Sequence, residues 1–158
     1  MEPVATQSAN RPETCAPTQS GSHPHGHSAS GPLGTAMAPG YTATFAGRAA
    51  EAARVRREIT GYLGGCPVTE DMVLIASELA SNAIMHTRSR SASFTVRCQL
   101  SAQAARIEVE DLGGPWRPRQ PADRPHGLDI IAALTGPDGW GTQPAGTDGR
   151  VVWAELSW

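Results

Sequence analysis

Lysine is absent from all 158 residues, and the 13 basic side chains are all arginine. That absence excludes two nucleotide chemistries. A phosphate-binding loop of the G-x-x-x-x-G-K type needs its Lys at the phosphates, and a protein-kinase fold needs a strand Lys paired to them. Long apolar runs are missing too, since nothing approaches the roughly 20 residues that span a bilayer. No basic start followed by an apolar stretch marks a secretory signal. Strong net charge is also lacking: the formal charge is −2 and the pI about 6.2. Neither nucleic acid nor a membrane is therefore expected as a direct partner. Cys15, Cys66 and Cys98 are odd in number and form no C-x-x-C pair. They read as no disulfide framework, which fits a reducing cytosol. A soluble cytoplasmic protein is expected.

What is present divides at about residue 40. Residues 1–40 are rich in Pro, Ser, Gly, Thr and Ala with almost no large apolar side chains, so they cannot bury enough surface to offset their ordering entropy. A disordered tail is expected there. Its His23, His25 and His27 alternate with other residues, but ligands on a floppy chain are not preorganised for a metal. The single domain, 41–158, starts with a short alternating strand at Tyr41–Phe45. Ala49–Leu63 follows as a helix, with Ala52, Val55, Ile59 and Leu63 on one stripe and Gly64-Gly65 at its end. A second helix is expected from about Val68 to His86, opened by Glu70 and Asp71 at the positive end of its dipole. Ser93–Leu100 and Arg106–Glu110 alternate in the manner of strands and should pair antiparallel. Leu112–Pro125 has no period and reads as a long functional loop. A short helix at Gly127–Leu134 and strands from Trp140 and at Val151–Leu156 complete the chain. The pattern predicts an α+β two-layer sandwich: a mixed, largely antiparallel sheet with its helices on one face.

Three places in this order can carry chemistry. Glu78 and Asn82 lie one turn apart on the second helix, at the border of the apolar arc formed by Met72, Val73, Ile75, Ala76, Leu79 and Ala83. Side chains so placed can point into a cleft between helix and sheet, although an ordinary helix boundary has the same pattern. The strand Arg106–Glu110 runs into Asp111, Leu112, Gly113 and Gly114. An acid there can accept a hydrogen bond from a ligand amine, and a following Gly lets a ring approach. A plain strand-ending turn uses the same residues. His126, Gly127 and Leu128 open a helix, where free backbone N–H groups can meet phosphate.

The run from Glu78 to Ala83 resembles the N box of the GHKL ATPases. Asp111–Gly114 is similar to their first glycine box and His126–Leu128 to their second. Trp140-Gly141 and the ending Gly149–Leu156 resemble the small single-domain branch related to anti-sigma-factor serine kinases of actinobacteria. The resemblance covers about Tyr41 to the C-terminus and implies a Bergerat-type ATP-binding fold with ATP and Mg²⁺ as ligands. It implies that Asn82 holds Mg²⁺, that Glu78 is the catalytic base, and that Asp111 receives the adenine amine while Gly113 and Gly114 leave room. It also places His126, Gly127 and Leu128 at the phosphates. His86, one turn beyond Asn82, either sits near the phosphates or packs the helix end. In a site without Lys, phosphate charge falls to Mg²⁺, backbone N–H groups and an Arg; Arg150 and the loop residues Arg117, Arg119 and Arg124 are candidates. Pro125 departs from the family pattern, in which many members carry Gly at that place, and it removes a backbone donor.

Two functions follow as expectations. One is a serine/threonine protein kinase acting on an anti-sigma-factor antagonist in partner switching with a sigma factor. The other is a non-catalytic nucleotide-dependent or purely protein-binding switch, which Pro125 favours. A sensor histidine kinase fragment is disfavoured, because no helical dimerisation segment with a phosphoacceptor His precedes the domain. A homodimer is left open.

Overall fold

Alternation in five segments and a 3.6-residue period in three others translate directly into the architecture of the computed structural model, which describes residues 40–114 and 127–158. The order is β1 (Tyr41–Ala46), α1 (Ala49–Leu63), α2 (Thr69–His86), a 3₁₀ turn at Arg88–Ser91, β2 (Ser93–Leu100), β3 (Ala104–Asp111), α3 (Gly127–Thr135), β4 (Trp140–Ala145) and β5 (Gly149–Ser157). The expectations placed on the tail, on His23, His25 and His27, and on Arg117, Arg119, Arg124, Pro125 and His126 lie outside the described residues.

The strands form one sheet in the order β1-β2-β3-β5-β4. Every pairing is antiparallel, so the sheet is not mixed among the described residues. The strand alternation sends Phe45, Phe94, Val96, Ile107, Val109, Val152 and Ala154 into the core, where Phe45 and Phe94 stack at 5.6 Å. From the helices, Val55, Ile59 and Leu63 of α1 and Met72, Ile75, Ala76, Leu79, Ala80 and Ala83 of α2 meet them. Burying each large aliphatic side chain contributes roughly 1.5–3 kcal/mol. Ala76, Ala80 and Ala83 of α2 are fully buried, and Arg56 of α1 donates to the buried Ser77 hydroxyl of α2 at 3.0 Å. Gly64 ends α1 in the left-handed conformation at φ 60°, its N–H returning to Thr60 O, as glycine permits.

The opposite sheet face is polar. Arg97 pairs with Glu110 at 2.6 Å, and Arg106 with Glu108 at 3.0 Å. Trp153 lies on this face beneath the Arg106 guanidinium, 4.1 Å from its ring centre. A side chain at Gly141 would collide with that indole at 3.0 Å, so the Trp140-Gly141 and Trp153 features of the sequence are two halves of one contact. Cys98 is free and buried in β2, where burial pushes its thiol up to about 12. Cys66 is disulfide-bonded. That corrects the expectation that no cysteine is paired, and cysteine usage no longer argues for a reducing compartment. No helix among the described residues is long and apolar enough to cross a membrane.

Candidate functional site

Helix α2 carries Glu78, Asn82 and His86 at successive turns. Glu78 and Asn82 are half-buried, and His86 is exposed in the last turn. Their border position follows from the apolar arc: Leu79, Ala83 and Ala76 face the sheet, so residues beside that stripe emerge at its edge. The start of α3 closes over them. A β-carbon built on Gly127 would stand 2.6 Å from Glu78 Oε2, 3.4 Å from Glu78 Cβ and 3.5 Å from Asn82 Nδ2. The residue at the mouth of the third helix thus packs on both functional side chains of the second. Leu128 follows, half-buried against the core.

The end of β3 reaches the same end of α2. Gly114 comes within about 3.5 Å of the Thr87 backbone and lies beside His86 O, measured from an ideal β-carbon. Arg88 N–H donates to Gly113 O at 2.8 Å. Asn82 and Asp111 therefore belong to one side of the molecule, joined through His86, Thr87 and the Gly113-Gly114 backbone. Asp111 is the buried acid of this region, its side chain 2% exposed. It occupies the helix-facing row of β3 behind Ile107 and Val109. Its Oδ1 accepts the Gly113 N–H at 2.7 Å, and its Oδ2 accepts from Arg150 Nη2 at 3.0 Å.

Three residues with no signal strong enough to single them out in the sequence build the wall behind Asp111. The Ser89 hydroxyl, in a fully buried residue, accepts Leu112 N–H at 3.0 Å. Thr87 caps the 3₁₀ turn by accepting Ser89 N–H, which is the usual work of a Thr at a helix start. Arg88 donates twice to Leu112 O, at 3.0 and 2.7 Å, and pairs with Asp148 at 3.6 Å. Only the Thr is a known cap signal. The other two roles depend on partners 23 or more residues away.

Gly113 has φ +63°, and a β-carbon there would lie 2.0 Å from Asp148 O. Backbone packing of the β4–β5 turn therefore demands this glycine. Gly113→Ala is expected to cost about 2 kcal/mol from the left-handed backbone and the carbonyl clash, read as a lower midpoint in urea unfolding with unchanged m. Two grooves open on the described residues, the first beside Gly113 and the second toward the other end of β3 and β5. One, of about 540 Å³, runs past Asp111, Leu112 and Arg88 to the β4–β5 turn; the other, of about 530 Å³, lies between Arg106, Trp153 and Leu134. Neither is lined by Glu78 or Asn82, the pair covered by Gly127.

No curated protein matches the chain by sequence. Among solved structures, the crystal structure of the RsbU and RsbW domains of Rv1364c from Mycobacterium tuberculosis shares the fold with a TM-score of 0.58 at 21% identity. The match covers 77% of this chain and 33% of that one, so this chain spans about a third of that protein's length. The sequence model of the histidine kinase-like ATPase domain matches residues 42–142, a span that includes α2 with Glu78 and Asn82, the β3 end with Asp111, and Gly127. The chain belongs to the histidine kinase-like ATPase domain family.

Proposed function

We propose that the chain is an ATP-binding regulatory protein of anti-sigma-factor type, a serine/threonine kinase that phosphorylates an antagonist protein and so decides which partner a sigma factor keeps. The observation that carries this reading is the packing of Gly127 on Glu78 and Asn82, with Asp111 at the same end of the molecule. Family membership and the likeness to a structure that includes an RsbW domain support it.

The residues divide the work by their chemistry. Asp111 accepts the amine of the adenine ring. Asn82 holds Mg²⁺, and Gly127 and Leu128 turn backbone N–H groups to the phosphates. Among the described residues no cluster of three or more His, Cys, Asp or Glu side chains could hold a metal ion. One amide with phosphate and water oxygens suits Mg²⁺, which keeps several waters and seldom sits in an all-protein cage; when bound, the ion supplies neutralisation of phosphate charge. Glu78 takes the proton of the antagonist's seryl or threonyl hydroxyl as that oxygen bonds the γ-phosphorus and ADP departs.

Single-turnover incubation with γ-labelled ATP and candidate antagonist proteins tests the reading. Mg²⁺-dependent label on an antagonist Ser or Thr is expected. Intact ATP binding without transfer to any antagonist marks the non-catalytic switch instead. Gly127→Ala probes the contact itself. The added methyl presses on the Glu78 carboxylate, the movable end of a side chain, so the fold survives. Misplacing the base by about 1 Å lowers transfer by roughly 10–100-fold, read in the same assay beside an unchanged circular dichroism spectrum.

A further inference from the structure

We infer that Arg150 is the positioning residue that makes Asp111 selective for a purine carrying an amine, and thereby sets the choice of 6-amino over 6-oxo purine nucleotides. The inference rests on the nucleotide-binding reading above and assigns a residue whose charge alone would suggest a phosphate ligand.

The assignment comes from register. Asp111 closes β3 directly opposite Arg150 of β5, in the row that continues Val109 opposite Val152 and Ile107 opposite Ala154. Both side chains therefore leave the sheet toward the helix layer. The carboxylate is 2% exposed and the arginine side chain 23% exposed. Two donors hold the carboxylate from different directions: the Gly113 N–H on Oδ1 from its own loop, and Arg150 Nη2 on Oδ2 from the neighbouring strand. A carboxyl group gripped at one oxygen only can turn about its χ2. Gripped at both, its plane is set, and the remaining lone pairs have fixed directions.

A carboxylate in an ion pair has no proton to donate, so it offers acceptors alone. A 6-amino purine presents an N–H to it. A 6-oxo purine presents oxygen to oxygen, leaving both unpaired in a buried place. A purine without any group at that carbon leaves the acceptor empty. Replacing Arg150 by Gln removes the charge and the second grip, so Asp111 should no longer discriminate among the three.

Calorimetric titration of the full chain with Mg²⁺ and either ATP, GTP or purine riboside triphosphate, the analogue lacking the 6-amino group, tests this. The wild-type chain is expected to prefer ATP over the analogue by about 30-fold, the value of a hydrogen bond to a charged group. In Arg150→Gln the preference should fall below about threefold through loss on the ATP side, with the analogue bound as before. Arg150→Lys, which keeps the charge and loses the planar fork, should retain an intermediate preference. It also decides the matter should the Gln variant fail to fold by circular dichroism, since unchanged discrimination in the Lys variant sinks the assignment. Unchanged selectivity in Arg150→Gln overturns it. So does equal loss for ATP and analogue, which marks a structural role only, and so does tighter ATP binding, which would mean that the arginine competes for the acceptor. A wild-type chain that binds none of the three nucleotides defeats the nucleotide reading itself, an outcome distinct from all of these.

Discussion

Glu78→Ala is expected to leave Mg²⁺-dependent ATP binding within about threefold of wild type while lowering phosphoryl transfer about 10³-fold, within the range of a lost general base. Binding survives because the contacts assigned to adenine and metal belong to Asp111 and Asn82, a strand end and the next helical turn. Stability survives as well. Glu78 is half-buried at the edge of α2, its buried neighbours Leu79 and Ala76 are untouched, and Ala is the better helix former. Glu78→Gln keeps the packing on Gly127 and should lose transfer to the same degree, which separates proton acceptance from shape. Asn82→Ala is the contrasting variant, losing the Mg²⁺ dependence of binding itself. Transfer that persists in both Glu78 variants would show that the base is another group.

Much of this arrangement was legible in advance, for identifiable reasons. The stripe Ala52, Val55, Ile59 and Leu63 and the terminating Gly64-Gly65 placed α1 at its observed bounds, Ala49–Leu63. The alternation in Ser93–Leu100 did the same for β2. The helical arc on α2 put Glu78 and Asn82 at a rim, and Gly127 was found resting on them.

What could not be read depends on distant partners. Ala104 and Ala105 fell outside the expected strand Arg106–Glu110 because small residues carry little strand preference. They are strand residues because Leu100 pairs Ala105 on one side and Leu156 on the other. Gly149 and Arg150 fell outside the expected last strand for a similar reason. Gly149 pairs with Ala145, and any side chain there would strike Ala145 O at 2.6 Å. The sheet, expected to be mixed and largely antiparallel, is antiparallel at every pairing among the described residues: α1 and α2 return the chain to β2 running against β1, while α3 leads from β3 to β4, which run the same way but are kept apart by β5. Composition could show that Arg150 is a cation. Only the register shows that its neighbour is Asp111.

That neighbour sets the second large effect. Asp111→Asn is expected to weaken ATP binding by at least about 100-fold and to lower stability by about 2 kcal/mol, the order expected when a buried carboxylate loses its charge beside a part-buried guanidinium. The two losses share a cause. An Asn amide of the same shape can accept the Gly113 N–H with its oxygen, but its nitrogen then faces the Arg150 guanidinium, donor against donor. Turned the other way, the amide nitrogen faces the Gly113 N–H. Neither orientation satisfies both partners of a side chain that is 2% exposed. In a domain of this size the stability loss should lower the melting midpoint by on the order of 10 °C. The double variant Asp111→Asn with Arg150→Gln separates the effects, because Gln can present its carbonyl to the new amide. Stability should then recover by more than the two single changes predict if added, whereas ATP binding should stay lost, since no carboxylate remains to receive the amine. ATP binding that remains normal in Asp111→Asn would remove adenine recognition from this acid and leave Asp111 as the partner of Arg150 alone.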